Sequence, residues 1–329
     1  MLALVLDSLD PARNLALEEY LFSTLPPDHP GWFLLWRNGP SIIVGRHQNT
    51  LEEINPALVE KHGLQVVRRM TGGGAVYHDA GNLNFSFLHW VERGGPLDFS
   101  LYLQPVVRAL ADIGVTAEFS SRNDLTAGGR KFSGSAQMRQ GRRVLHHGTL
   151  MVELDLDMLG AVLTGAPDKY LSKGIASVRS RVINLAELWP AGTRMDDLRD
   201  ALVRHCATGQ GSLAAEDAAA AAVLAQDKYR SWNWNYGASP RFTEKLRERF
   251  PWGAVECRLD VRHGNIEGCR IQGDFFAAAE VAELESLLTG VRPRPEDIRA
   301  ALAQTDMGVY FAGCDAERML AFFAGELLH

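Results

Sequence analysis

Apolar and polar positions along the 329-residue chain change period repeatedly, and each period predicts an element. Met1 to Asp7 is apolar but short, without the basic leader or cleavage site of a signal peptide, so it predicts a first strand. Asp10 stands as an N-cap before Pro11 at the first helical position. Leu15, Leu17, Tyr20 and Leu21 then recur at helical spacing through Thr24. Phe33–Trp36 and Ile42–Val44, bounded by Asn38-Gly39-Pro40 and Gly45, predict two strands. Asn55-Pro56 opens a short helix that ends at Gly63, and Leu64–Arg69 is a strand running into Thr71-Gly72-Gly73-Gly74. From Asn82 to Phe87 the alternation is strict, with Asn82, Asn84 and Ser86 set against Leu83, Phe85 and Phe87, which predicts a half-buried strand. A helix follows over Leu101–Gly114. Lys131–Gln140 and Arg143–Leu154, joined across Gly141, form a hairpin.

From Leu156 the chain turns mostly helical and reaches an alanine-rich helix, Ala214–Tyr229. The loop-like stretch from Ser231 to Pro240 marks a domain boundary. Beyond it come a hairpin (Val255–Val261 and Ile266–Gln272, turning at His263-Gly264-Asn265) and three helices. The predicted domains are therefore residues 1–234 and 243–329, with 235–242 as linker. Strands and helices do not alternate as βαβ units, so a doubly wound sheet is disfavoured and an α+β fold with a mixed sheet flanked by helices is expected.

The composition, 46% hydrophobic and 22% charged with 31 Gly and 14 Pro, excludes collagen-like, disordered and disulfide-stapled classes. No apolar run approaches the ~18 residues that span a bilayer. Cys206, Cys257, Cys269 and Cys314 form no CxxC pair and have no histidine at metal-ligand spacing. They are expected to be reduced thiols in a cytoplasmic protein. A net charge of −6 argues against nucleic acid as a partner, and residues 241–329 carry 11 basic against 15 acidic side chains. A monomer away from the membrane is expected.

The densest chemistry lies at Arg68-Arg69-Met70-Thr71-Gly72-Gly73-Gly74-Ala75-Val76-Tyr77-His78-Asp79. Successive glycines permit positive φ and close backbone approach with N–H groups free for a ligand. The two arginines supply planar forks suited to phosphate. The run has neither the Gly-Lys-Ser/Thr ending of a Walker loop nor a GxGxxG spacing; a solvated glycine turn is the bland alternative. A second cluster is Arg122-Asn123-Asp124-Leu125 followed by Gly128-Gly129-Arg130-Lys131-Phe132-Ser133-Gly134-Ser135-Ala136. Lys131 among small residues can point into a cleft, and Asp124 is a candidate carboxylate for Mg2+; an exposed basic hairpin is the alternative. His146 and His147 should point to opposite faces of one strand, so at most one reaches the cleft. Ser172–Arg181 reads as a basic loop able to close on an anion or as a solvated connector. Arg46, Arg68, Arg69, Arg130, Lys131, Lys173, Arg179 and Arg181 thus form a positive set beside glycines in an acidic chain.

Taken in order, Arg68–Asp79, Asn123-Asp124-Leu125 with Gly129–Ala136, His146-His147-Gly148-Thr149-Leu150 and Lys173–Val182 resemble lipoate–protein ligase A, within the biotin/lipoate protein ligase superfamily. The resemblance extends from Asp10 through Ile43-Val44-Gly45-Arg46-His47-Gln48-Asn49 to Ser231-Trp232-Asn233-Trp234-Asn235 and includes the C-terminal unit. It implies a mixed-sheet catalytic core related to class II synthetases plus a small α+β accessory domain. The implied activity uses ATP and Mg2+ to convert lipoate to lipoyl-AMP. The acyl group then passes to one lysine of a lipoyl domain of a 2-oxoacid dehydrogenase complex or of glycine-cleavage H protein. By position, Arg69, Gly74, Ala75, Val76, Tyr77 and Lys131 match ATP-binding residues. Lys131, Arg69, Gly73, His78 and His147 are the expected lipoate-binding set, with Lys131 catalytic. The segment between Asn123-Asp124-Leu125 and Lys131 is shorter than in familiar members.

Three rivals share parts of this pattern. A carrier-dependent octanoyl or lipoyl transferase needs a cysteine nucleophile, and Cys206 is the core's only thiol, remote in sequence from the motifs. A non-catalytic lipoyl-AMP-binding protein would keep the pocket but leave an acceptor unmodified. A biotin ligase is disfavoured by the Arg-Arg-x-x-Gly-Gly-Gly form of the loop.

Overall fold

The computed structural model describes residues 1–92, 98–120, 123–163, 180–236, 244–262 and 264–326. By contact the chain divides into two compact units. The first comprises residues 1–44, 50–70 and 75–236, and the second 45–49, 71–74 and 237–329.

The first unit is built on an eight-stranded mixed sheet. In chain order its strands are β1 (Leu2–Val5), β2 (Trp32–Trp36), β6 (Asn82–Trp90), β7 (Glu118–Ser120), β8 (Asp124–Ala127), β9 (Arg130–Gln140), β10 (Arg143–Met151) and β11 (Gly209–Gln210). Their spatial order is β11-β1-β2-β6-β10-β9-β8-β7. Pairing is parallel among β11, β1 and β2 and antiparallel from β2 onward. A smaller sheet, ordered β4-β3-β5, joins β3 (Ser41–Val44), β4 (Gln65–Arg68) and β5 (Val76–His78).

Helix α1 (Pro11–Thr24) starts where the sequence predicts, because the Asp10 carboxylate accepts the Ala12 N–H at 3.0 Å. Its apolar stripe, led by Leu15 and Phe22, packs with Leu34, Trp36, Leu88 and Leu145. Helix α2 (Ser100–Asp112) lies on the other side of the sheet, with Tyr102 against Phe87. This double cover corrects the expectation of a half-buried strand. Asn82, Asn84 and Ser86 are as buried as Phe85 and Phe87, with Ser86 meeting a side chain of α1. Strict alternation here separates a polar interior face from an apolar interior face, not water from core.

In the second unit, β12 (Glu244–Phe250), β13 (Gly253–Arg262) and β14 (Asn265–Gly273) form an antiparallel meander. The expected hairpin is β13–β14; β12 adds a strand, and four helices, not three, follow among the described residues. Phe275, Leu284, Leu302, Phe311 and Phe323 are central to this unit's core. Cys257 and Cys269 lie diagonally on adjacent strands, Sγ atoms 3.7 Å apart, and all four cysteines are free. Trp232–Asn235, which the sequence suggests is loop, is a short helix capped by Ser231. Residues 237–243, most of the predicted linker, lie outside the described residues. Among the described residues, no helix is long and apolar enough to cross a membrane.

Candidate active site

Side chains alternate between the two faces of a strand, so the register of the sheet assigns the candidates to faces. Ser86 pairs with His147, and Asn84 with Thr149, which places them on the face covered by α1. His146 pairs with Phe87 and faces α2, where its ring stacks on Tyr102 with centroids 4.6 Å apart. The two histidines do diverge as expected.

On the α1 side, Glu18 is 1% exposed and sits among polar groups. Its carboxylate meets His147 Nδ1 at 2.9 and 3.0 Å and accepts the Ser86 hydroxyl at 2.6 Å. Ser86 Oγ in turn accepts the Trp36 indole N–H at 2.9 Å. Sequence reasoning misses Glu18, although the helical period places it between Leu15 and Phe22 on the apolar stripe, and that is the available signal.

Arg69 is buried. Its N–H donates to Val44 O at 3.0 Å and its guanidinium to Ile43 O at 3.2 Å. Burial pulls its pKa down to about 10; Glu18 opposes that shift and Arg68 adds to it. Arg69 therefore remains a cation at neutral pH. Arg68 does not supply the second phosphate fork anticipated from sequence. Its guanidinium donates to the carbonyls of Trp234 and Asn235 and to Thr50 Oγ1, tying β4 to the short helix. An arginine beside a glycine loop looks the same in sequence whether it holds a ligand or a helix.

His78 lies next to this cluster. Its Nδ1 accepts from Asn38 Nδ2 at 3.1 Å, an orientation set by Asn14 Nδ2 donating to Asn38 Oδ1 at 3.0 Å. Burial, with Arg69 and His147 nearby, pushes its pKa down to about 3, so the ring is neutral and carries its proton on Nε2. That Nε2 has no hydrogen-bond partner among the described residues. Burial beside Asp79 and Asp155 raises the Tyr77 phenol to about 12. Val76 and Tyr77 pair with Ile43 and Ile42 in the small sheet, and Ala75 precedes them.

Lys131 and Asp124 form an ion pair, Nζ to Oδ1 2.8 Å, with side chains 39% and 24% exposed. Arg181 and Ile183 hold the Lys131 backbone: Lys131 N–H donates to Arg181 O at 2.8 Å, and Ile183 N–H to Lys131 O at 2.9 Å. The structure thus gathers Arg69, His78, His147 and Glu18 into one buried cluster and Lys131 with Asp124 into a more open one.

Gly73 and Gly74 belong by contact to the second unit. Of the three glycines only Gly73 has positive φ (+89°). Its N–H is not free for a ligand as anticipated, because it donates to Phe275 O at 3.1 Å. Gly72 lies so close to the same carbonyl that a Cβ would stand 2.1 Å from the oxygen, whereas Gly74 has open space. In the same unit Gly273 N–H donates to His47 O, and the His47 ring stacks on Phe275 at 4.8 Å. Of the rest of the positive set, Arg46 pairs with Glu280 and Arg130 approaches Glu187, while Lys173 and Arg179, like Arg122 of the second cluster, lie outside the described residues.

Among the described residues no group of three or more histidine, cysteine or acidic side chains gathers to hold a metal. Asp124 is a single carboxylate already facing an ammonium. It suits an ion that arrives on phosphate oxygens, not a resident one. Burial pushes the Cys206 thiol up to about 12, which leaves it without the thiolate a transferase nucleophile needs.

Comparison with known proteins agrees with this architecture. The family model for the lipoyl protein ligase A/B catalytic domain matches residues 10–207, and that for the bacterial lipoate protein ligase C-terminus matches 239–323. Lipoate–protein ligase 1 of Staphylococcus aureus is 40% identical over 315 residues, covering 94% of this chain and 96% of that protein. Among solved structures, P. falciparum LipL1 in complex with lipoate superposes with a TM-score of 0.80 at 26% identity, covering 98% of both chains. A lipoate–protein ligase A bound with ATP gives 0.63 at 28% identity, over 72% of this chain and 98% of that one. The fold is the mixed-sheet ligase core with an additional C-terminal unit. The chain belongs to the lipoate–protein ligase family.

Proposed function

We propose that this protein activates lipoate with ATP to form lipoyl-AMP and transfers the lipoyl group to a lysine of a lipoyl domain. The observation that carries the reading is Lys131: a part-exposed ammonium on a backbone whose N–H and C=O are both held by the segment Arg181–Ile183, in a chain of this family. In the first half-reaction a lipoate carboxylate oxygen bonds to the α-phosphorus of ATP and the bond to the β-phosphate breaks, releasing pyrophosphate. Two anions must approach, and Lys131 between them offsets their repulsion and stabilises charge growing at phosphorus. In the second, the acceptor amine attacks the acyl carbon, loses its proton, and AMP departs with the electron pair. The same ammonium donates to the acyl oxygen as it becomes an oxyanion. No covalent enzyme intermediate is required.

Arg69, Gly74, Ala75, Val76 and Tyr77 are assigned to ATP, with Arg69 meeting phosphate oxygens. Gly73, His78 and His147 are assigned with Arg69 and Lys131 to lipoate, and the unpartnered Nε2–H of His78 supports its role as a donor. Asp124 would hold Mg2+, which would supply neutralisation of phosphate charge. Residues 1–234 form the catalytic domain and 243–329 the accessory domain. The acceptors are lipoyl domains of 2-oxoacid dehydrogenase complexes and glycine-cleavage H protein, met by a monomer in the cytoplasm. A similar solved structure, of a bipartite lipoate protein ligase and its E2 lipoyl domain from Thermoplasma acidophilum, supports a lipoyl domain as the acceptor.

The test is pyrophosphate release from ATP and Mg2+ with and without lipoate, followed by addition of a lipoyl domain and intact-mass measurement. Lipoate-dependent pyrophosphate and one acyl adduct are expected. Acylation only from supplied lipoyl-AMP or an acylated carrier would overturn the ligase reading in favour of a transferase.

A further inference from the structure

Lys131 and Gly134 are three residues apart on β9, an odd separation that puts side chains on opposite faces of a regular strand. They nevertheless share a face. Asp124 pairs with Gly134 and Leu125 with Ser133, but the next residue of β8, Thr126, pairs with Lys131. One step on β8 is matched by two on β9, so Phe132 is an extra residue: a β-bulge. Phe132 is fully buried and anchors the irregularity. In an unbroken ladder Thr126 would face Phe132, and Lys131 would turn to the other side of the sheet.

The side chain then folds back over the strand. An ideal Cβ on Gly134 would lie 3.0 Å from Lys131 Nζ, 3.2 Å from its Cε and 3.6 Å from Asp124 Oδ1. Gly134 is outside the positive-φ region that favours glycine, so the conformation does not demand glycine. What its missing side chain provides is room for the ammonium. Asp124, directly across the ladder, holds that ammonium at 2.8 Å.

We propose that the bulge at Phe132, the bare position at Gly134 and the carboxylate of Asp124 together aim Lys131, so that Gly134 and Asp124 are positioning residues for adenylation. The inference rests on the assignment of Lys131 to that step. It goes beyond that assignment by giving a role to two residues that need not touch the acyl group or the reacting phosphorus. Filling position 134 displaces the far end of a flexible side chain, which costs little stability but misplaces the charge. Misplacement by about 1 Å costs on the order of 10²-fold in rate.

The experiment has two arms on the full-length protein. In the first, steady-state pyrophosphate release separates kcat from KM. Gly134→Ala should lower kcat by about 10–100-fold with an unchanged melting temperature. A kcat within twofold of the unsubstituted protein would overturn the proposal. The second arm needs no substrate. Proton–nitrogen correlation spectra of 15N-lysine-labelled protein report the side-chain ammonium, with Lys131→Arg identifying the Lys131 signal. Gly134→Ala should shift that signal, and Asp124→Asn should speed its solvent exchange until it is lost. A signal unmoved in both variants would overturn the proposal even if kcat fell. If the unsubstituted protein releases no pyrophosphate, the adenylation reading fails, while the spectra still decide whether Gly134 and Asp124 hold Lys131. Should Gly134→Ala not fold, Asp124→Asn carries the spectroscopic decision alone.

Discussion

Replacing His146 by phenylalanine tests the assignment of the two adjacent histidines to opposite faces, because His146 sits in an apolar box and should serve no chemistry. Its ring stacks on Tyr102 and meets Phe99 edge-on at 5.5 Å, with Phe85 and Phe87 each 6.1 Å away. Neither ring nitrogen has a partner among the described residues, and burial holds the pKa well below 6.5. The folded state therefore keeps this ring neutral where the unfolded chain, with a pKa near 6.5, binds a proton. More protons on the unfolded state mean that stability is fully present above pH 6.5 and is lost as pH falls toward the folded value. At pH 5 the unfolded form is favoured by about 1.5 pH units' worth of protonation, about 2 kcal/mol. His78, with its pKa near 3, adds a similar loss in the same window. At pH 8 phenylalanine removes an unpaired polar group, worth about 1–3 kcal/mol. Extra bulk offsets this by a similar about 1–3 kcal/mol. The pH difference isolates the titration from both. Urea unfolding at pH 8 and pH 5 should show His146→Phe losing about 2 kcal/mol less than the unsubstituted protein. Lipoate-dependent pyrophosphate release should persist. Equal losses in the two proteins would refute the reasoning, since they would require a His146 that is already protonated, or stabilised when protonated, in the fold.

Three other substitutions probe the site. Lys131→Ala should slow adenylation by about 10²–10³-fold, the loss of one oxyanion donor, and near-normal lipoyl-AMP formation would remove Lys131 from its role. Glu18→Leu removes the carboxylate that meets His147 Nδ1, accepts the Ser86 hydroxyl and favours the Arg69 cation. It should cost about 3–5 kcal/mol in urea unfolding, with Glu18→Gln recovering more than half; indistinguishable variants would argue against the network. Gly72→Ala must push residues 71–74 away from the Phe275 carbonyl, so the Gly73 amide should exchange with deuterium faster; unchanged protection would show that the contact does not restrain the segment.

The elements most legible in the sequence are those with a local chemical signal. Asp10-Pro11 and Asn55-Pro56 carry caps whose side chains accept the expected N–H groups, and Gly63 ends its helix in the left-handed conformation. Strand β12 escapes sequence reasoning because Glu244-Lys245-Leu246-Arg247-Glu248-Arg249-Phe250 offers few apolar positions; as an edge strand, paired among the described residues with β13 alone, it needs few. For β6 the alternation is legible and the environment is not. Period two reports that the two faces differ, and only the packing of α1 and α2 on opposite sides shows that both are interior.

The site divides along the same line between local and tertiary information. Residue types and spacing single out Arg69, Lys131 and Asp124, and the structure gives Lys131 and Asp124 to each other. Which of two adjacent arginines stays near the histidines, and which ties down a helix some 166 positions away, depends on contacts that no local pattern encodes. The bulge is the sharper case. Read with strict alternation, Lys131 and Gly134 belong to opposite faces, and the residue proposed to be catalytic would be assigned to the side that carries His146. One unpaired residue, Phe132, reverses that assignment. Its phenyl ring is ordinary core in composition and period, so the feature that delivers the lysine is legible only in the register of β8 against β9.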